Sequence, residues 1–432
     1  MHTNLPPTTR PRSSTPGFVA TLLVAAFVSA ACDGNAGSST ATDAQAGPTT
    51  DVETQAQTDE STPSTTDPPV PPTTRIEADG ADVADIADIA LVASRTVTQR
   101  DRSWAVEFYR NRSLGCGRDG NFTFIVIEPF EGADRTAPLW VYLRGGGVGY
   151  YNGDDPPRYL GDEGRNDEES LDQLLVQAVG NGRDTTVNRR LRAGWRVLVP
   201  SMCDHDLHAG EGSTYPNNPH GADSTVDGLT ANRAAVHWVA ENRPTGWVVV
   251  HGTSAGSVGA FALSFALHEV GVEVNAAIMD AYLVTPRLAP YMDAGVTPQV
   301  RNNADFDITE VVEKVGRFAD TGPGGVFPER VVADDDFRAI PLLDIVGDAD
   351  AHCAGGLPPL PATNGVDNCT FVHGGFAASI DAQADSPHGQ IIIAGGGHST
   401  TKRPGPVNDL VDDWLDTVLT PDAHFPFPAG DR

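Results

Sequence analysis

The chain has 432 residues and a formal charge of −29, from 58 acidic and 29 basic side chains. That excess excludes a nucleic-acid binder, because phosphate contacts need a basic surface, and it excludes electrostatic docking on anionic lipid. Apolar residues make up 40% of the chain, enough for a real core, and the length fits one large domain with tails.

The N-terminus has the form of an export signal. Arg10 and Arg12 precede Gly17 to Ala31, an uncharged, mostly apolar run too short to span a membrane comfortably. The run ends Val28-Ser29-Ala30-Ala31-Cys32. This resembles the lipobox of bacterial lipoproteins, although Ser29 stands where a larger aliphatic residue is usual. The resemblance makes Cys32 the expected lipidation site and residues 1–32 the signal, with plain cleavage near Ala31 as the alternative. A lipid there is the only membrane contact expected. Residues 33–80 are rich in Ser, Thr, Pro, Ala, Gly, Asp and Gln, and they carry −8. They lack the apolar surface to offset ordering entropy, so a disordered linker is expected. The signal carries +2, which leaves −23 for residues 81–432, the expected folded domain. Of its cations only Lys314 and Lys402 are lysines.

In chain order, Trp104 to Tyr109 and Phe122 to Pro129 read as an antiparallel pair around a Gly117–Gly120 turn. Apolar runs follow at Leu139–Leu143, Arg196–Pro200, Trp247–His251, Ala276–Asp280, Pro341–Val346 and Gln390–Ala394. Such runs suit strands buried on both faces of a parallel sheet. Helical patterns lie between them at Leu171–Val179, Thr230–Glu241, Ser257–Val270 and Val407–Leu419. The alternation predicts one α/β domain with a mostly parallel central sheet flanked by helices. Asn152–Arg190 and Pro286–Arg338 read as insertions.

Export permits disulfides. Cys116, Cys203, Cys353 and Cys369 allow three pairings. The expected one is Cys353–Cys369, closing a short Gly/Pro-rich loop, with Cys116–Cys203. No pair has Cys-x-x-Cys spacing. Asp204, His205, Asp206 and His208 follow Cys203 without a clear further ligand, so neither metal nor cofactor is expected.

The sharpest motif is His251-Gly252-Thr253-Ser254-Ala255-Gly256, a Gly-x-Ser-x-Gly between a buried strand and a helix. Glycines two before and two after the serine permit a strained turn that exposes its Oγ. The motif resembles the α/β-hydrolase family, which implies the chain order nucleophile, acid, histidine. Ser254 is then the nucleophile. The acid is Asp350 or, less favoured, Asp348, in the turn Gly347-Asp348-Ala349-Asp350. His398 follows the last strand as general base. The expected oxyanion hole is the Ala255 amide with one from the Gly145-Gly146-Gly147 run, Gly146 favoured.

A narrower resemblance adds Pro200-Ser-Met-Cys203-Asp204-His205-Asp206-Leu207-His208-Ala209-Gly210. With the Gly run and the elbow it is similar to pectin acetylesterases and Notum-type carboxylesterases. Two positions depart from those families: Arg144 stands where an acidic residue is common, and Ser257 where the elbow often has glycine. The resemblance implies a serine ester hydrolase using a Ser-His-Asp triad, acting on a small-molecule or polysaccharide ester. Asp206 and His208 are candidate pocket-wall or loop-ordering residues. A peptidase, a lipase or an inactive hydrolase-fold binding domain are the alternatives.

Overall fold

The structure, a computed structural model, describes residues 86–99, 102–116, 120–130, 136–146, 149–150, 158–159, 168–180, 184–202, 205–210, 213–214, 225–282, 340–350, 368–381 and 386–419. The signal, the linker, Cys32, Gly147, Cys203 and Cys353 lie outside them. So does the whole of the expected insertion Pro286–Arg338.

The chain begins with two long strands, β1 (Ile89–Gln99) and β2 (Arg102–Cys116), followed by β3 (Gly120–Ile127) and β4 (Ala137–Leu143). Two short strands, β5 (Gly149–Tyr150) and β6 (Arg158–Tyr159), pair with each other. Helices α1 (Leu171–Val179) and α2 (Thr186–Arg192) lead to β7 (Arg196–Pro200). A second short pair, β8 (Ser213–Thr214) and β9 (Thr225–Val226), precedes α3 (Gly228–Asn242). Then come β10 (Thr245–Thr253), α4 (Ala255–Ala266), β11 (Ala276–Asp280) and β12 (Leu342–Gly347). The series closes with α5 (Asn368–Asp381), β13 (Gly389–Ile393) and α6 (Val407–Val418).

Nine strands make one sheet in the order β1-β2-β3-β7-β4-β10-β11-β12-β13. From β1 to β7 neighbours run antiparallel; from β7 onward every pairing is parallel. The expected α/β class with a mostly parallel sheet is what the chain forms. The reason lies in the strand composition. Successive side chains point to opposite faces, and both faces here are covered. Val141, Leu143 and Val250 pack on one face with Leu263 and Phe261 of α4 and Val236 of α3. Trp140, Tyr142 and Val249 pack on the other with Leu174 of α1, Leu191 of α2 and Leu415 of α6. Every residue of α4 is buried, which its sequence Ala-Gly-Ser-Val-Gly-Ala-Phe-Ala-Leu-Ser-Phe-Ala permits.

Three differences from expectation have physical causes. Strand β1 is not evident in the sequence because most of it is exposed, so no apolar alternation marks it; β2 supplies its hydrogen bonds. Residues 168–180 and 184–190, placed within the insertion Asn152–Arg190, belong to the crossover from β4 to β7. Leu174, Leu175, Ala178, Val187 and Leu191 are buried there in the second core. Helix α5 contains Gly374, Gly375, Thr370 and Val372, which blur a helical pattern.

Candidate active site

Strand β10 delivers the chain to Ser254, whose backbone stands at φ 55°, ψ −124°. This is the left-handed half of the map, costly for a residue with a Cβ. Three contacts hold it. Ser254 N donates to Asp280 O at 2.8 Å, and Ser257 N donates to Ser254 O at 2.8 Å. Ser257 Oγ donates to that same carbonyl at 2.5 Å. Ser257, a departure from the elbow pattern, is thus a brace for the turn. The glycine spacing has a steric cause: a Cβ on Gly252 would collide with the Gly256 backbone.

The turn after β12 and the turn after β13 meet at the serine. His398 Nε2 lies 2.6 Å from Ser254 Oγ. His398 Nδ1 lies 2.7 Å from Asp350 Oδ2. Asp350 is fully buried and His398 is about a quarter exposed. A carboxylate only accepts, so the Nδ1–H donates to Asp350 and leaves Nε2 to accept the serine hydroxyl proton. Asp348 is elsewhere: its Oδ1 accepts from Gly395 N at 2.6 Å and ties the two turns together. Ala349 N to Gly396 O at 2.9 Å adds to that tie.

The Gly run follows β4. Gly145 packs so closely on the elbow that a Cβ there would come 2.6 Å from Ser254 Cβ. Its amide donates to Thr253 Oγ1 at 3.2 Å. Gly146 therefore carries the next amide of the run, and Ala255, next to the serine, is the first residue of α4. Helix α4 adds the partial positive charge of its N-terminus. Gly147 lies outside the described residues.

Beneath this loop sits a buried polar layer. Asn232 Nδ2 donates to His208 Nδ1 at 3.2 Å, so His208 Nε2–H donates to Arg144 O at 3.0 Å. Burial pushes the His208 imidazole down to about 4, which keeps it neutral. Asp206 accepts from His208 N at 3.0 Å, Gly210 N at 2.9 Å and Gly228 N at 2.8 Å. Burial raises its carboxyl. Both side chains are buried and engaged with backbone; of the two roles expected for them, these contacts perform loop ordering. His205, also buried, stands at φ 47° beside Gly146.

Two carboxylates were missed by sequence reasoning. Arg144 Nη2 pairs with Glu169 Oε1 at 2.7 Å, both nearly buried. Glu169 also accepts from Gln177 Nε2 at 2.9 Å, Ser201 Oγ at 2.8 Å and Met202 N at 2.7 Å. Burial works to raise its carboxyl, but the Arg144 guanidinium and these donors together hold it below the ordinary range. The signal was Arg144 itself, since a buried guanidinium demands a carboxylate. Asp280, at the end of β11, accepts from Thr400 N, Thr400 Oγ1, Thr401 N and Thr401 Oγ1 at 2.6–3.2 Å. An aspartate closing a wholly apolar strand was its signal. It fastens the segment directly after His398.

Cys369 is buried and disulfide-bonded, with its partner outside the described residues; Cys116 is buried at the end of β2. The expected pairings thus fall partly on undescribed residues.

No protein-family model matches the chain, and no curated protein matches it. Solved structures with a similar fold include an S-formylglutathione hydrolase from Agrobacterium tumefaciens, 11% identical, with a TM-score of 0.44 over 76% of this chain and 99% of that one. An esterase of Pyrococcus furiosus is 12% identical, with a TM-score of 0.37 over 80% of this chain and 97% of that one. A thermophilic esterase from the planctomycete Thermogutta terrifontis is 15% identical, with a TM-score of 0.38 over 72% and 90%. Likenesses this distant leave the chemistry to rest on the chain's own geometry.

Proposed function

We propose that the chain is a serine hydrolase of the α/β-hydrolase type that cleaves carboxylic esters. One observation carries this reading: Ser254 Oγ, His398 and Asp350 form a continuous hydrogen-bonded line at 2.6 and 2.7 Å. Ser254 Oγ attacks the ester carbonyl while His398 Nε2 takes its proton. Asp350 holds the imidazole tautomer and stabilises the imidazolium. The amides of Ala255 and Gly146 face the developing oxyanion, an effect worth roughly 10²–10³ in turnover per donor. His398 then returns the proton to the leaving alcohol. Water activated by the same histidine releases the acyl group from Ser254.

The substrate class proposed is an acylated carbohydrate or glycoconjugate, on the strength of the pectin acetylesterase and Notum-type motifs at Gly145–Gly146 and 200–210. The −23 carried by residues 81–432 favours a neutral or heavily esterified polymer over a polyanion. Export through residues 1–32, with Cys32 as lipid anchor, places the enzyme where such polymers are met.

A panel of acetylated sugars, longer acyl esters and peptides, run on wild type and Ser254→Ala, tests the reading. The wild type should prefer short acyl esters, and Ser254→Ala should lose about 10⁵-fold in turnover. Preference for peptides or long-chain lipids would move the chain to another hydrolase class. Full activity in Ser254→Ala would end the assignment of the nucleophile.

A further inference from the structure

On the face of the sheet covered by α1, α2 and α6, a cavity of about 330 Å³ opens beside Lys402. Its lining includes Tyr142, Gln177, Thr185, His251, Thr401 and Lys402, with aliphatic walls from α1. Ser254, His398 and Asp350 are not part of it. The volume is at the lower end for small-molecule sites.

The polar groups of this cavity are arranged with one sign of offer each. Thr401 Oγ1 gives its hydrogen to Asp280 Oδ2 at 2.6 Å. It must therefore accept from His251 Nε2–H, which lies at 3.1 Å. That fixes the His251 tautomer and leaves Nδ1 as a bare acceptor. His251 is 1% exposed, and among the described residues its Nδ1 has no hydrogen-bond partner. Gln177 Nε2 is committed to Glu169, and Gln177 Oε1 is buried, again with no partner among the described residues. Buried acceptors left this way are costly unless something donates to them. Lys402 supplies the opposite offer. Its ammonium makes no hydrogen bond or ion pair within 4.0 Å to any described residue. Asp280 attracts it from farther off, but its oxygens are occupied by the four donors of Thr400 and Thr401. Arg144 and Arg190 add positive charge near Lys402 and His251 respectively. Arg144 and Arg190 are themselves ion-paired, with Glu169 and Asp412, so of these three cations Lys402 is the one with no carboxylate in contact among the described residues.

We propose that this cavity is a second binding site, for a small hydroxylated carboxylate. Lys402 pairs with the carboxylate, and His251 Nδ1 and Gln177 Oε1 accept hydrogens from the ligand's hydroxyl groups. A neutral polyol offers the hydroxyls but not the charge, and a simple alkyl acid offers the charge but not the hydroxyls. The site is independent of the ester-hydrolase reading, since none of its lining residues belongs to the triad.

Gluconate and sorbitol are matched probes, differing by the carboxylate. The chain has only two lysines, so amine acetylation of the intact protein, read peptide by peptide by mass spectrometry, reports Lys402 with Lys314 as internal reference. Saturating gluconate should slow acetylation of Lys402 about tenfold and leave Lys314 unchanged. Sorbitol and propionate should protect far less. Calorimetric titration should show gluconate binding to wild type and to Ser254→Ala alike, and weakened at least about tenfold in folded Lys402→Met. Equal acetylation rates with and without gluconate, equal protection by sorbitol, or gluconate affinity unchanged in Lys402→Met would each overturn the proposal. Gluconate binding lost in Ser254→Ala would place the ligand at the triad instead.

Discussion

Asp350 and Asp280 end comparable stretches of chain, one in the turn after β12 and the other at the tip of β11. Both are fully buried carboxylates at the same end of the sheet. They differ in what they hold. Asp350 meets an imidazole that, in the proposed mechanism, picks up and returns a proton. Asp280 meets two backbone amides and two hydroxyls of Thr400 and Thr401, which do not titrate. One carboxylate prepares a change of charge; the other fixes a place. Burial raises the Asp280 carboxyl, against the pull of its four donors. In this fold His398 is held by two acids, Asp350 beside its ring and Asp280 beneath the segment that follows it.

Substitutions can separate these duties. Asp350→Asn keeps the shape but presents an N–H to His398 Nδ1, forcing the wrong tautomer. Turnover should fall about 10⁴-fold with KM nearly unchanged, measured on a small ester across a pH series. Glu169→Gln tests a third buried carboxylate, which supports the oxyanion loop through Arg144. It should cost about 3 kcal/mol, read from denaturant unfolding, because a buried guanidinium is left uncompensated. The sign with pH follows from the lowered Glu169 carboxyl. Its contribution is fully present above the ordinary carboxylate value of the unfolded chain and is lost as pH falls through the lower folded value, so wild type and variant should converge in acid.

Asp280→Asn should act through position alone. It replaces one acceptor oxygen by a donor facing hydroxyls and amides, which shifts the segment behind His398. A loss of about 10²-fold in turnover is expected, with an unchanged pH profile. A profile displaced by a full unit would show instead that Asp280 tunes the imidazole directly. The smallest effect belongs to Lys402→Met. Burial pushes the Lys402 amine down from 10.5 to about 8. Between those values the unfolded chain binds the extra proton, so stability rises with pH through that window, and the penalty is fully present below it. Removing the charge should therefore stabilise the ligand-free protein by about 1–2 kcal/mol at neutral pH. The gain should fade between about 8 and 10.5 and be gone above the ordinary lysine value, as read from melting at a series of pH values.

How much of this was legible depends on how local each signal is. The elbow was readable because its steric logic is contained in six consecutive residues, His251 to Gly256. His398 was readable from its place after an apolar strand and a Gly run. Between Asp348 and Asp350 the turn spacing favoured Asp350 but left both open, since they sit two residues apart; the meeting of two turns assigns Asp348 to Gly395 and Asp350 to His398. Glu169 was invisible for the same reason: it meets Arg144 across 25 positions of sequence, through the packing of α1 on the sheet. His208 was noticed, but its duty depends on Asn232 fixing its tautomer, a contact between a loop and a helix. Strand β1 escaped because exposed strands carry no core signature.

The left-handed backbone of Ser254 has a consequence for any attempt to toughen the molecule. A glycine adopts φ 55° without the strain that a Cβ brings there. Ser254→Gly is therefore a change that relaxes the chain and disarms it together. Directed evolution that scores only heat tolerance would be drawn toward that position, and survivors would need counter-selection for turnover to stay useful.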